Sequence, residues 1–283
     1  MEPLKFRVMT PKDVPFALKL VEVVGWDQTR SDVERNLSFE PNGCFVATLN
    51  QIDVGIIDSF LYGKVGFIGN VIVDPNHRGK GIGEAMMVHA ISRLRNEGVG
   101  SIRLDAVPKA ITLYKRLGFK PEWSSLRFVT QASKQKEDTT IPITKADLKE
   151  ISRLDVKYFG LNRLEKLILI QNEFPGYCYK SMVGNDTVGY IMAREVRDGV
   201  KVGPWICEPE YAKNASDLLK TIMNKTEGRT LKVGVPESNH LSVGIVEGLG
   251  FKNLPASIRM CAGSCESVEK IEGIFSVGAP DKG

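Results

Sequence analysis

The sequence predicts an α/β (α+β) fold built as two tandem copies of a mixed, mostly antiparallel sheet flanked by helices. Three observations lead to this prediction. The chain has 283 residues, enough for two domains of ordinary size. Its first half is repeated in the second at a nearly constant offset, and in each half apolar runs of strand length are followed by segments of helical spacing. The composition, 42% hydrophobic and 25% charged, excludes a disordered chain.

The repeat becomes visible when the chain is shifted by 134 positions, which aligns residues 41–75 with 175–209. Both segments carry Pro, Cys, Val-Gly and Gly at matching positions, and at a shift of 132 the motif Leu-Gly-Phe-Lys also recurs. We therefore predict an N-terminal domain at 1–130 and a C-terminal domain at 141–283. The polar stretch at 131–140 is predicted to be the linker. One large domain with accidental similarity is the alternative.

Each copy begins with a strand and two helices. A short strand from Lys5 to Met9 precedes a helix, because Thr10 is a good N-cap residue and Pro11 and Asp13 suit a first turn. A second short helix is expected around 30–38. Antiparallel strands then follow at three alternating or apolar runs, 43–49, 54–62 and 65–73.

The rest of the copy is a helix, a strand and a helix. Apolar side chains recur at helical spacing over 84–97, and Gly98 ends that segment. A strand at 101–107 and a helix at 109–117 are predicted to close the unit. Several antiparallel strands followed by a helix and a further strand indicate a sheet with both antiparallel and parallel pairs, which is a mixed sheet.

Several classes of protein are excluded by the composition. Five cysteines without a CxxC pair indicate reduced, mostly buried thiols, and three histidines without ligand spacing predict no metal site. A net charge of +4 with no basic block argues against nucleic acid as a partner. No apolar stretch is long enough to span a membrane, so a cytoplasmic protein is expected. We expect it to be a monomer or a homodimer.

The strongest chemical signal is the segment His-Arg-Gly-Lys-Gly-Ile-Gly at 77–83, between a strand and a helix. Glycines let the backbone approach a ligand closely, and the helix adds its free N-terminal amides and its dipole. Arg78 and Lys80 add positive charge, so the segment is predicted to bind a pyrophosphate. A glycine-rich turn without a ligand is one alternative. A dinucleotide-binding turn, with Asp105 as the ribose-binding acid, is another, but the glycine spacing differs from that fingerprint.

A second motif about 30 residues downstream decides between these readings. The patterns VxPxxRGxGIG at 73–83 and AxxLYxxLGF at 110–119 together resemble the GNAT superfamily of acyl-CoA-dependent N-acyltransferases. The usual asparagine three positions before the motif alanine is Val107 here. The whole chain resembles a tandem GNAT protein with a divergent C-terminal GNAT-like domain.

The resemblance implies acetyl-CoA as co-substrate and assigns its binding residues. The backbone of the strand end should bind the pantetheine arm, an amide near Ile72 should polarise the thioester carbonyl, and the amides of the loop should bind the pyrophosphate. Tyr114 is the candidate general acid that protonates the departing thiolate. The complete predicted binding set is Val71, Ile72, Val73, Arg78, Gly79, Lys80, Gly81, Ile82, Gly83 and Glu84.

The general base is less evident, because the strand before the loop carries no carboxylate. Asp58 on the preceding strand is the candidate, either directly or through water; a solvated strand carboxylate is the alternative. Asn70 is a candidate to hold a water, and Trp26 is a candidate substrate-pocket residue unless it is simply core.

The second copy has lost these features. Arg78, Gly79, Gly81 and Gly83 align with Ala212, Lys213, Ala215 and Asp217, and Tyr114 aligns with Val246. We therefore expect one acyl-CoA site, in the first copy. The expected activity is transfer of an acetyl group from acetyl-CoA to an amine, most simply a small metabolite amine. The alternatives are a protein lysine acetyltransferase and an acyl-CoA-binding sensor without turnover.

Overall fold

The computed structural model describes residues 3–136, 140–266 and 268–278. The chain folds into two compact units that do not follow chain order. Unit 1 contains residues up to 122 together with 259–266, and unit 2 contains 123–258 together with the described residues from 268 onward. Part of the predicted linker, 137–139, lies outside the described residues.

Unit 1 is an α/β unit in which helices and strands follow the predicted order. Its sheet has the order β1-β2-β3-β4-β5, followed by the end of β12 (Lys252–Gly263). The first four strands are antiparallel, and β4 and β5 are parallel. The elements are β1 (Lys5–Val8), α1 (Val14–Val23), α2 (Arg30–Phe39), β2 (Cys44–Leu49), β3 (Ile52–Tyr62), β4 (Val65–Val73), α3 (Ile82–Asn96), β5 (Ser101–Ala106) and α4 (Ile111–Arg116).

Capping side chains fix the start of both N-terminal helices. Thr10 and Asp13 form a capping box at the 3-10 turn that leads into α1, and Thr29 and Asp32 form another at the start of α2. The apolar faces of both helices pack on β2–β4 around fully buried residues such as Leu20. This packing holds the loop between α1 and α2 against one face of the sheet.

Unit 2 repeats this arrangement, with the sheet order β6-β11-β10-β9-β8-β7 and with β13 paired to β10. The ladder between β10 and β11 is parallel, like that between β4 and β5. The elements are β6 (Lys120–Gln131), β7 (Ile141–Pro142), α5 (Leu148–Phe159), α6 (Leu164–Glu173), β8 (Cys178–Val183), β9 (Asp186–Val196), β10 (Gly199–Cys207), α7 (Ala212–Lys225), β11 (Thr230–Pro236), α8 (His240–Gly248) and β13 (Ile274–Ser276).

The prediction that the helix at 109–117 closes the first copy is wrong. That helix is followed by the twelve-residue strand β6, whose residues Ser125–Gln131 pair antiparallel with Thr230–Pro236 of β11. The final strand of the first copy is therefore paired within unit 2. The sequence did not predict this pairing, because hydrophobic periodicity indicates a strand but not its partner. The boundaries 1–130 and 141–283 describe the duplicated sequence and stay a prediction.

The prediction of five reduced thiols is also wrong in part. Cys261 and Cys265 form a disulfide at the end of β12. Cys44, Cys178 and Cys207 are buried and form no disulfide, as the apolar character of a thiol favours.

Asp105 is not a ribose-binding acid but half of a buried ion pair in unit 1. Its Oδ1 accepts from Nε of Arg259 at 2.6 Å, and both side chains are fully buried. The guanidinium also lies over the ring of Phe67, 5.2 Å from its centroid. This pair ties the end of β12 to β5.

We predict that Asp105→Asn destabilises the protein by about 3–5 kcal/mol, because it leaves a buried guanidinium without its opposite charge. Urea unfolding followed by circular dichroism measures the loss. Asp186→Asn is the control, since Asp186 is exposed at the start of β9. A loss below about 1 kcal/mol in Asp105→Asn would contradict the structural role of the pair.

Candidate active site

The loop after β4 is shaped by two glycines in the left-handed region. A 3-10 turn at Pro75–His77 follows β4, and the Asp74 side chain caps it by accepting from the amide of Asn76 at 2.8 Å. This hydrogen bond lowers the pKa of Asp74. Gly79 and Gly81 both have φ of +76°, a conformation that side chains disfavour. The chain then enters α3 with Gly81 as its N-cap.

The first backbone amides of α3 have no acceptor within the helix. The first hydrogen bond at the start of α3 joins the Ala85 amide to the Gly81 carbonyl at 3.0 Å, so the amides of Ile82, Gly83 and Glu84 precede it and have no intrahelical acceptor. A methyl group on Gly79 or Gly81 would meet nothing within 4 Å. Free amides, open space and the positive end of a fifteen-residue helix suit an anionic group.

The charged side chains of the loop have different surroundings. Arg78 donates from Nε to the Val73 carbonyl at 3.0 Å, which ties the loop to the end of β4. Lys80 is exposed. Glu84 forms an exposed ion pair with Arg116 at 3.0 Å, so its carboxylate faces a cation near the helix start.

Beside the loop, β4 separates from β5. Among the described residues, the parallel ladder joins only Val65–Phe67 to Ser101–Arg103. On the other side of β4 the register with β3 shifts between Gly69 and Ile72, and Asn70 within this bulge has φ of +49°. The predicted pantetheine-binding residues, Val71 to Val73, lie in the part of β4 beyond the β5 ladder. The structure thus places them next to the glycine loop on one strand.

Tyr114 lies on α4 with 7% of its surface exposed, and its ring packs against Phe119 at a centroid distance of 6.1 Å. Burial raises the pKa of Tyr114 to about 12, because the phenolate would be poorly solvated. The hydroxyl therefore keeps its proton at neutral pH.

Asp58 is not a solvated carboxylate. It is 3% exposed, and its Oδ2 accepts from Nδ2 of Asn36 at 2.9 Å and from Nδ2 of Asn70 at 2.7 Å. Asn36 belongs to the buried face of α2, and Asn70 occupies the bulge of β4. A carboxylate on β3 is thereby joined to the strand that carries the predicted cofactor-binding residues.

These hydrogen bonds also orient Gln28. Because an ionised carboxylate only accepts, both asparagines turn their amino groups toward Asp58. The carbonyl of Asn70 then accepts from Nε2 of Gln28 at 2.8 Å. The Oε1 atom of Gln28 is buried and has no hydrogen-bond partner among the described residues. A buried acceptor of this kind favours a ligand that donates a hydrogen bond.

Sequence reasoning missed Gln28 and Asn36. Gln28 lies two residues after Trp26 and directly before the N-cap of α2, so the N-cap signal was the available clue to its position. Trp26 is half-buried and packs against the core between the first helices and the sheet. Its substrate role stays a prediction.

Unit 2 lacks the glycine loop because a helix takes its place. There α7 begins at Ala212, the position that aligns with Arg78, whereas α3 begins four residues later in the repeat. Asp217 is buried in the second turn of α7 and is paired with Lys213 and Lys220 at 3.1 and 3.0 Å. Val246, at the position of Tyr114, is fully buried.

Comparison with known families agrees with the two-copy organisation. Residues 16–119 match the sequence model described as the acetyltransferase (GNAT) family, and residues 151–276 match the one described as the acetyltransferase (GNAT) domain. The chain belongs to the GNAT family. It is a tandem member, as the sequence predicts.

Curated relatives are N-acetyltransferases by name. A segment is 35% identical over 63 residues to glucosamine 6-phosphate N-acetyltransferase of Trypanosoma brucei brucei, which covers 22% of this chain and 43% of that protein. Another is 35% identical over 60 residues to the chloroplastic serotonin N-acetyltransferase 2 of Oryza sativa subsp. japonica, covering 21% and 30%. The chain thus spans less than half the length of these relatives. The uncharacterized N-acetyltransferase YitH of Bacillus subtilis is 26% identical over 197 residues, 67% of each chain.

Solved structures share the whole fold. A protein from Pyrococcus horikoshii superposes with a TM-score of 0.86 at 22% identity, covering 100% of this chain and 97% of that one. A GCN5-related N-acetyltransferase from Sphaerobacter thermophilus gives a TM-score of 0.71 at 14% identity, with 98% and 100% covered. At these identities the likeness shows the fold alone.

Two further observations concern metal ions and membranes. In the part that the structure describes, no cluster of three or more His, Cys, Asp or Glu side chains is arranged to hold a metal ion. Over the same residues no helix is both long and apolar enough to cross a membrane.

We predict that Tyr114 does not ionise below about pH 11, because its pKa is raised to about 12. Absorbance at 295 nm during an alkaline titration, compared between the wild type and Tyr114→Phe, isolates this one phenol. The two curves should coincide up to about pH 11. A difference of one tyrosine appearing near pH 10 would mean that the phenol is solvated.

Proposed function

We propose that the protein is an acetyl-CoA-dependent N-acetyltransferase whose acceptor is the primary amine of a small metabolite. The observation that carries this proposal is one strand, β4, whose end leads into an open cradle of amides and whose bulge carries Asn70 against the buried Asp58. A site for an acyl donor and a site for an amine therefore adjoin each other within unit 1.

Acetyl-CoA fits the residues at the end of β4. Its pyrophosphate would be held by the loop amides from Arg78 to Gly83, where the two glycines leave room for it. The pantetheine arm carries amides and is extended, so it would pair with Val71–Val73 as an added strand. Bound there, acetyl-CoA supplies an activated acetyl group next to the bulge.

The acceptor amine would be bound by Asp58 and Gln28. An ammonium group donates three hydrogen bonds, and the site offers a buried carboxylate together with the Oε1 atom of Gln28, which has no partner among the described residues. Asp58 would take a proton from the ammonium, directly or through a water held by Asn70. The neutral amine then has the lone pair that attack requires.

The proposed reaction balances without a further reactant. The amine nitrogen forms a bond to the acetyl carbonyl carbon, and the bond from that carbon to sulfur breaks. Starting from the ammonium, the nitrogen loses two protons in all: Asp58 takes one before the attack and passes it to solvent, and the second leaves the nitrogen after the attack. The thiolate takes a proton from Tyr114, which burial keeps protonated, and the second nitrogen proton restores that phenol through solvent. The amide near Ile72 would donate to the carbonyl oxygen as negative charge develops on it.

The choice of a small amine draws on the relatives. The Trypanosoma and rice proteins are named for glucosamine 6-phosphate and serotonin, and both of these compounds are small primary amines. A buried carboxylate on β3 that accepts from side chains of α2 and β4 suits a compact ligand.

We predict that Gly81→Ala weakens acetyl-CoA binding at least about tenfold, because a side chain disfavours φ of +76° and shifts the loop amides. Isothermal titration calorimetry measures the affinity. Gly228→Ala is the matched control: it has the same φ of +76° and the same open surroundings, but lies in unit 2. Equal affinities in the two variants would contradict the cradle.

We predict that Asp58→Asn lowers kcat about 10²–10⁴-fold, the usual contribution of a general base, while acetyl-CoA binding is retained. Asp53→Asn makes the same change on the same strand, at a carboxylate paired with Arg7, and should keep its activity. Retained turnover in Asp58→Asn would remove the base assignment. Loss of acetyl-CoA binding in that variant would instead indicate a disturbed fold.

A further inference from the structure

The second unit holds a segment of its own chain where its sheet opens. The parallel ladder of β10 and β11 joins Val200–Val202 to Leu231–Val233. Beyond it, β10 pairs antiparallel with β13, so that Trp205 lies opposite Ser276 and Ile206 opposite Ile274. The opening of the sheet is therefore filled by β13 and by the 3-10 turn that precedes it, Ile271–Gly273. We call residues 271–277 the internal strand.

The internal strand lies at the position that corresponds to the proposed pantetheine site of unit 1. In the 134-residue register, Trp205 and Ile206 align with Val71 and Ile72. In unit 1 those two residues belong to the part of β4 beyond its ladder with β5. The same stretch of the repeat thus faces a chain segment in one unit and is proposed to face pantetheine in the other.

Two buried side chains of unit 2 bind carbonyl groups of the internal strand. Nδ2 of Asn239 donates to the carbonyls of Ile271, Glu272 and Ile274 at 3.0, 3.2 and 2.9 Å. Oγ of Ser242 donates to the carbonyl of Phe275 at 2.6 Å. Three polar contacts from one amino group orient the backbone of the segment rather than its side chains.

The polar residues of this contact are particular to unit 2. Counted back from the Leu-Gly-Phe motif, Asn239 aligns with Val107 and Ser242 with Ala110. At this position the GNAT pattern has an asparagine, which the first copy replaces with Val107 and the second copy keeps as Asn239. The Asn239 side chain binds backbone carbonyls of the chain itself.

The internal strand is also closely packed. Phe275 is fully buried against Trp205, with 5.1 Å between ring centroids. The Val277 amide donates to the Gly234 carbonyl at 3.2 Å. A methyl group on Gly203 would collide with the carbonyl of Val277, and one on Gly273 with the ring of Tyr158. Gly203 therefore allows the close approach of the two backbones, and Gly273 leaves room for the ring of Tyr158.

We propose that unit 2 has a binding site for an extended, amide-bearing chain, and that its resident ligand is the internal strand, which closes the unit to acyl-CoA. The comparison with pantetheine rests on the proposed function; the contacts of the internal strand do not. A peptide strand and pantetheine share amide groups and an extended shape, so both fit such a site. Among its described residues, unit 2 has no corresponding place for the phosphates of CoA. There α7 replaces the glycine loop.

The test is hydrogen–deuterium exchange on the full-length protein, read by mass spectrometry in peptides that cover 274–277. The variant is Asn239→Asp, which removes the amino group but keeps the oxygen that accepts from the Ser242 amide at 3.0 Å, so the start of α8 is preserved. The control is Ser238→Ala, which changes the exposed residue directly before Asn239.

In the wild type these amides should exchange at least about 100-fold more slowly than in an unstructured peptide, and Asn239→Asp should accelerate their exchange by about tenfold or more. Ser238→Ala should leave the rate unchanged. Rapid exchange in the wild type, or no acceleration in Asn239→Asp, would overturn the proposal.

Calorimetry with acetyl-CoA separates this proposal from the proposed function. One acetyl-CoA bound per chain, together with slow exchange at 274–277, supports both. Two acetyl-CoA molecules per chain would overturn the internal-ligand proposal. No binding of acetyl-CoA, with the exchange still slow, would contradict the proposed function and would leave the internal strand supported.

Discussion

In both units, two parallel strands separate after a short ladder, and this separation determines where each unit can bind another chain or a ligand. After three residue pairs β4 leaves β5, and after three pairs β10 leaves β11. Backbone amides and carbonyls at such a separation need other partners, since an unpaired buried backbone group is costly. In unit 2 the chain supplies the partner through β13. In unit 1 the opening adjoins the glycine loop, where we propose that acetyl-CoA binds.

Around that opening, the buried polar groups of unit 1 form a connected set. Asp58 is held by asparagines from α2 and β4, and Asn70 in turn is held by Gln28 from the loop before α2. Burial makes each of these hydrogen bonds costly to break, which fixes the orientation of all four side chains. The carboxylate and the Gln28 carbonyl are therefore oriented before any amine arrives, and such preorganisation lowers the cost of binding.

Local features of the fold were predictable from the sequence, whereas pairing over long distances was not. The capping residues Thr10 and Thr29 and the glycines at 79 and 81 act within a few residues, so their effects appear where the pattern indicates them. Strand β6 was missed, and its partner β11 is about 100 residues away, which no local periodicity specifies. The disulfide between Cys261 and Cys265 was missed because an odd number of cysteines suggested free thiols.

The site was predictable to a similar extent. The motifs around Arg78 and Tyr114 located the glycine loop and the tyrosine in the sequence, and their roles in an acyl-CoA site stay a prediction. The environment of Asp58 was not predictable, because its partners Asn36 and Asn70 come from other elements, and Gln28 is joined to it only through Asn70. Such networks depend on tertiary packing, and a single sequence without the fold does not reveal them.

Release of the CoA thiol from acetyl-CoA, measured across a panel of small amines, tests directly whether unit 1 transfers an acetyl group to an amine. Thiol release should require an amine, match the acetylated product in amount, and slow in Tyr114→Phe without loss of acetyl-CoA binding. Binding of acetyl-CoA with no thiol release for any amine in the panel would contradict this transfer and would indicate an acyl-CoA sensor.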